Sequence, residues 1–381
     1  MRSGSSDDSL LFIGLPPFNP RLLVPPASPR VQARSFGLYS PGSVHGKMLK
    51  WCGAAAAKAG LMHLAGRALA APVDAVRATE EIRPILDGKV LADLQDGWKK
   101  ALGKEDLSCA LSLGEPTPYR KITALVFGRE GEPLAVAKAG CTPAAAALIA
   151  NERAALETVG SMATSEAVIP ALLGHGKTGP VSWILETPLL SGRPSPNALR
   201  KEHSAFLAEL ARGTVQKMPL DSSDIWTHLQ RALDSPDRSI KAGFEAELIR
   251  QLQSIRAEDA DRDWPFTAAH GDFTPWNMRA GEGRIALFDW EYFLPAAPAG
   301  WDLLYFIIRV QNLIAKKPLE RIWGELEAGA YHDAITRWEK EAGLQIPDRR
   351  ILASLVIMTI AFDSVPEWIC GDKSSYADAL T

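Results

Sequence analysis

The stretch AAHGDFTPWNMRAGEGRIALFDWEYF, residues 268–293, sets Asp272, Asn277 and Asp289 among Phe, Trp, Leu and Ile. Carboxylates in apolar company are costly to desolvate unless they are paired or hold a metal. Asp272 and Asn277 are five residues apart, a spacing that one loop folds into one site. Phosphoryl transfer asks for such a set. It needs a carboxylate that orients and deprotonates an attacking hydroxyl, and oxygen ligands that hold Mg²⁺ on nucleotide phosphates. Mg²⁺ takes one or two carboxylates, with waters and phosphate oxygens completing its shell. Asp272 suits the first task, and Asn277 and Asp289 suit the second. Between the last two, MRAGEGRIALFD reads as a hairpin with Gly281-Glu282-Gly283 at its turn. A hairpin brings its two ends side by side.

The elements that must position these groups are legible from pattern. LSCALSLG, KITALVFG and PLAVAKAG, punctuated by Gly114, Gly128 and Gly140, read as antiparallel strands. CTPAAAALIANERAALETVG then reads as a helix, with Thr142 as N-cap, Pro143 in its first turn and Gly160 at its end. AVIPALLGHG and VSWILETPLL read as two more strands, and after SGRPSP the pattern is mostly helical, apart from the opening stretch. Upstream, seven prolines between Pro16 and Pro41 make residues 1–44 read as loosely ordered, with one helix from Lys47 to about Ala70 and another over 82–102. The expected organisation is an N-terminal extension over 1–104, a sheet-based region over 105–190 and a helical region over 191–381.

HGDFTPWN followed by FDWEY resembles the aminoglycoside phosphotransferase and choline kinase family, small-molecule kinases related to protein kinases. HGD stands where protein kinases have HRD, and DWE where they have DFG. The resemblance implies an α+β, protein-kinase-like bilobal fold, with ATP between the lobes and Mg²⁺ on its phosphates. It implies that Lys138 in PLAVAKAG meets the phosphates and that Glu152 in NERAALE holds that lysine. The hinge falls around Glu186 to Pro194, with adenine against Glu186, Thr187 and Leu189. Asp272 is the implied catalytic base, and Asn277 and Asp289 the metal ligands. Asp302 in AGWDLLYF starts a helix and steadies the catalytic loop, and His270 is read as a structural group hydrogen-bonding that loop. Glu291 is open between assisting metal or substrate and forming a salt bridge. The loop covering the phosphates is assigned to Ser112 through Arg120. It has only Gly114 where a GxGxxG would stand.

The bulk numbers bound the rest. The 381 residues are 46% hydrophobic, enough for a sizeable core, and the net charge of −3 gives no argument for nucleic-acid binding. Residues 1–104 carry 14 Lys+Arg against 8 Asp+Glu, and residues 191–381 carry 22 against 28. The acidic C-terminal half hints at a cationic alcohol as substrate, with ordinary solvated surface as the plainer reading. Cys52, Cys109, Cys141 and Cys370 form no CxxC pair and no disulfide framework, which favours a reduced, cytoplasmic setting. No stretch reaches the roughly 18 apolar residues of a membrane span, and the N-terminus does not read as a secretory signal.

Three rival readings are weaker. GHGKTG resembles a phosphate-binding P-loop, yet Gly179-Pro180 and a strand-like VSWILE follow it, where a P-loop must open into a helix. Residues 174–179 are therefore read as a hairpin turn. A protein kinase would need an activation loop, and only 13 residues separate Asp289 from Asp302. The remaining alternative is a nucleotide-binding pseudokinase acting as a scaffold. Against it, every position the chemistry needs is filled. Trp276 and Trp290 are read as site-wall packing, and Trp226, Trp301, Trp323, Trp338 and Trp368 mostly as core.

Overall fold

A computed structural model of the chain describes residues 10–369 apart from 17–18, 39–43, 163, 234–241, 259–260, 282 and 363–368. The turn residue Glu282, together with Trp368 and Cys370, therefore lies outside the described residues. In chain order the strands are β1 (Leu11–Leu15), β2 (Leu22–Val24), β3 (Ala71–Pro72), β4 (Ser108–Ser112), β5 (Ile122–Phe127), β6 (Pro133–Gly140), β7 (Ala167–Val168), β8 (Leu172–Thr178), β9 (Val181–Glu186), β10 (Arg193–Pro194), β11 (Gln216–Pro219), β12 (Asp263–Ala269), β13 (Met278–Ala280), β14 (Ile285–Leu287) and β15 (Leu294–Pro298). The helices are α1 (Pro29–Ser35), α2 (Val44–Lys58), α3 (Leu61–Leu69), α4 (Gly88–Leu102), α5 (Pro143–Gly160), α6 (Lys201–Thr214), α7 (Asp224–Leu233), α8 (Ala242–Glu258), α9 (Trp301–Arg309), α10 (Leu319–Glu327), α11 (His332–Ala342) and α12 (Arg349–Ala361). Met1–Arg153 and Pro170–Leu190 form one compact unit, and Ala154–Ile169 and Ser191–Thr381 the other.

The first unit is built on an eight-stranded sheet in the order β3-β1-β2-β4-β5-β6-β9-β8, antiparallel throughout. Its alternation is that of a sheet with apolar side chains turned to a core. Leu111, Ala124, Val126, Ala137 and Leu185 meet Trp98 and Leu94 of α4 in one buried cluster. α4 is well delimited: the Asp87 side chain accepts from Val90 N at its start, and Gly103 ends it in the left-handed conformation.

The N-terminal residues correct the sequence reading. Residues 11–15 and 22–24 are not loosely ordered, nor does the described part of 1–104 stand apart as an extension. β1, β2 and β3 lengthen the sheet, with Leu22 opposite Ser112 and Leu23 opposite Leu111. Local proline content hid this, because β4, which joins the β1–β2 pair to the rest of the sheet, lies some 90 residues downstream. The single helix expected from Lys47 to Ala70 is two, broken at Gly60, whose φ is +77°. Gly174 through Thr178 also differ from expectation. They continue β8, with Thr178 opposite Val181, and the turn is confined to Gly179-Pro180.

The second unit is mostly helical but holds more sheet than the sequence suggests. β11-β12-β15 form a three-stranded sheet and β10-β13-β14-β7 a four-stranded one. β12 runs straight into the HGD stretch, and the β13–β14 hairpin separates Asn277 from Asp289. Trp264, Phe266, Trp301, Phe306 and Trp338 are fully buried in this unit. Trp226 is buried, and Trp323 is half-buried. No helix among the described residues is long and apolar enough to cross a membrane.

Leu23 is wholly buried in the sheet's core. Leu23→Ala is expected to lower stability by about 2–5 kcal/mol, as large-to-small core changes do. A denaturant midpoint equal to that of the wild type would show that β2 contributes nothing to the folded sheet.

Candidate active site

In the first unit the site is a buried charge cluster. Lys138, on β6 opposite Ile184, forms an ion pair with Glu152 of α5 and lies 3.6 Å from Glu186 Oε1 at the end of β9. The three residues are only 6%, 0% and 3% exposed. A lysine ammonium tolerates that depth because two carboxylates replace its water. Glu186, expected at the hinge, therefore turns its side chain to Lys138. Thr187 is tied back to Ala171, accepting from Ala171 N through Oγ1 at 2.9 Å, and Leu189 is half-buried in the irregular segment beyond.

Ser112 ends β4 opposite Leu22 and Thr123. Gly114 follows with φ +63°, and a Cβ there would lie 2.7 Å from Lys121 O. Arg21 Nη1 donates to Gly114 O at 2.8 Å and Arg120 Nε to Leu113 O at 2.7 Å. Residues 115–118 are exposed between these anchors.

In the second unit β12 delivers His270, Gly271 and Asp272 to a tight turn. Asp302, on the first turn of α9, accepts from His270 N at 2.6 Å and from Gly271 N at 3.1 Å, one donor to each carboxylate oxygen. Burial pushes its carboxyl up to about 7, while the two N–H donors favour the charged form. His270 Nδ1 accepts from Asp272 N at 3.3 Å. The ring hydrogen is then on Nε2, which donates to Phe288 O at 3.1 Å and ties the loop to the far end of the hairpin. The ring lies 4.6 Å from that of Trp290, which is fully buried.

Asn277 Nδ2 donates to Asp272 O at 3.1 Å and to Asp272 Oδ2 at 2.8 Å. Asp272 Oδ1 is buried with no hydrogen-bond partner. Burial pushes Asp272 up to about 6, with the charge of Arg309 pulling it down and that of Asp289 raising it. Phe288 N donates to Asn277 O at 3.1 Å, so the next residue, Asp289, stands beside Asn277. Asp289 has φ +70°, a conformation that Asp adopts more readily than most side chains. Glu291 sits half-buried on the 3₁₀ turn that follows. Trp276 is 38% exposed, and its indole N–H, directed at the Asp272 carboxyl, works with Asn277 to favour the charged form.

Asn277 and Asp289 suit Mg²⁺ by donor type. Both are hard oxygen donors, and the two Nδ2 bonds leave the Asn277 amide oxygen as the atom to meet a cation. Among the described residues no three or more His, Cys, Asp or Glu side chains gather as a metal cage.

A family model described as the phosphotransferase enzyme family (APH) matches residues 143–339, just over half of the 381 residues. The chain belongs to this family. It is a phosphotransferase with a hydroxyl group as acceptor, and its organisation is α+β. Glu152, Asp272, Asn277, Asp289 and Asp302 fall inside the matched span; Lys138 lies just ahead of it. Among solved structures the chain is similar to the GDP and kanamycin complex of APH(2")-IIia, at 15% identity over 76% of this chain and 97% of that one, with a TM-score of 0.44. It is also similar to the choline kinase LicA from Streptococcus pneumoniae, at 13% identity over 72% and 99%, with a TM-score of 0.39. No curated protein matches the chain.

Arg309 is the group that sequence reasoning missed. It lies seven residues after Asp302 in α9, two turns along one helix face, and that spacing was the available signal. Its guanidinium stands 5.7 Å from the Tyr305 ring centroid.

A Cβ at residue 271 would lie 1.9 Å from Tyr292 O, and Gly271 has φ +81°. Gly271→Ala combines left-handed strain of about 1–2 kcal/mol with that overlap. The expected outcome is a lower unfolding midpoint and loss of phosphotransferase turnover. Wild-type stability and rate in the purified variant would mean the loop has another geometry.

Proposed function

We propose that the protein transfers the γ-phosphate of ATP to a hydroxyl of a small-molecule alcohol. The observation that carries this reading is Asp272. Its Oδ2 is held by Asn277 on a loop pinned by Asp302, and its Oδ1 is left as a buried acceptor. The acceptor oxygen attacks the γ-phosphorus in line, the bond to the β–γ bridging oxygen breaks, and ADP leaves. The hydroxyl proton passes to Asp272 Oδ1. Raised basicity of the buried carboxylate favours that transfer. Lys138, oriented by Glu152 and Glu186, meets nucleotide phosphate charge. Asn277 and Asp289 would hold Mg²⁺, which when bound neutralises phosphate charge. Arg309 sets a positive charge near Asp272. A cationic acceptor would therefore carry its positive group away from its reacting hydroxyl.

Asp272→Asn tests the assignment. Nucleotide affinity should stay near wild type while turnover on an alcohol panel falls about 10²–10⁴-fold, the usual worth of a positioned base. Turnover at the wild-type rate would remove Asp272 from the mechanism. Asp289→Ala should abolish the Mg²⁺ dependence of binding a nonhydrolysable ATP analogue.

A double-mutant cycle tests the first unit's cluster. Lys138→Ala should raise the KM for ATP and lower kcat, Glu152→Ala should do so more mildly, and the losses should be less than additive because the two act as a pair. Strict additivity would separate them.

A further inference from the structure

We propose that α2 and α3 form a surface that docks the enzyme on an anionic phospholipid bilayer. Six of the thirteen large apolar side chains exposed among the described residues fall within 22 positions here: Met48, Leu49, Trp51, Leu61, Leu64 and Leu69. Trp51 and Leu64 are 78% and 81% exposed. These are not spare core residues. The helices already bury Ala57, and pack Ala54 and Met62 partly buried, against the cluster of Phe36, Ile13 and Val24, and Gly53 sits so close to the Phe36 ring that a Cβ would overlap it.

Charge identifies what covers this face. From residue 9 to residue 73 the chain has no Asp or Glu, while it has Arg21, Arg30, Arg34, Lys47, Lys50, Lys58 and Arg67. Four of these basic residues lie in α2 and α3 themselves, and Lys47 and Lys58 are exposed. Exposed Trp, Leu and Met on short helices that also carry lysines are the composition of helices lying in a membrane interface, apolar side chains sunk among the headgroups and cations on phosphate. Trp favours that depth. At 15 and 9 residues neither helix spans a bilayer, so the geometry is one of lying along the surface. A second copy is a poorer occupant. A self-complementary contact would set these lysines near their own counterparts, with no acidic side chain on the two helices to pair with them.

The test is flotation of the purified full-length chain with phosphatidylcholine vesicles, with and without phosphatidylserine. The chain should float with the phosphatidylserine vesicles only, and increasingly less as NaCl rises. Lys47→Glu/Lys58→Glu should weaken binding by about 30-fold or more, from about 1 kcal/mol per lysine at the surface. Trp51→Glu/Leu64→Glu should weaken it about tenfold or more. Both variants should keep wild-type circular dichroism and phosphotransferase turnover. If the apolar pair unfolds, the lysine pair and the salt titration decide. Absence of flotation, or equal binding to both vesicle types, overturns the proposal. So does a dimer in sedimentation that Trp51→Glu/Leu64→Glu disperses.

Discussion

The loop carrying His270, Gly271 and Asp272 depends on one buried carboxylate accepting two backbone N–H groups. Asp302 meets His270 N and Gly271 N with separate oxygens, so the peptide planes on either side of His270 are set by a side chain over thirty residues downstream. An unpaired carboxylate at this depth would be strongly destabilising, and unpaired N–H groups would cost free energy as well. Each satisfies the other, and Asp272 follows directly from the turn they define. The imidazole of His270 extends the same tie to Phe288, so both ends of the β13–β14 hairpin are referenced to one turn.

Gly271 is the corollary of that tie. The chain passes so close to Tyr292 O that no side chain fits, and its φ lies where L-residues are strained. This gives a physical reason for HGD in place of HRD. The departure follows from what packs over the turn and says nothing of the chemistry at the next residue.

The first unit solves a different problem, that of keeping a lysine charged inside a sheet. Glu152 on a helix and Glu186 on a neighbouring strand approach Lys138 from separate elements. Together they hold it in one place, with β5, β6 and β9 as the rigid backing. Those strands belong to a sheet that also includes β1 and β2, so the ordering of the N-terminal residues and the placement of Lys138 share one scaffold.

What the sequence by itself determined lies at short range. Asp272 and Asn277 are close because five residues fold into one loop, and the hairpin between Asn277 and Asp289 follows from a glycine-flanked turn with alternating neighbours. The cap at Thr142, the glycine at the end of α5 and the pairing of β5 with β6 are local in the same sense. Tertiary structure decided what distance along the chain conceals. Leu22 and Leu23 find Ser112 and Leu111 across some 90 residues of chain, and proline content around them gives no sign of it. Glu186 reads as a hinge residue until the strand register turns it onto Lys138. Arg309 shares a helix face with Asp302, yet only the packing of α9 under the loop brings its charge to Asp272. Hydrophobic pattern and turn chemistry act between neighbours, whereas strand pairing and buried charge act between segments that meet only after folding.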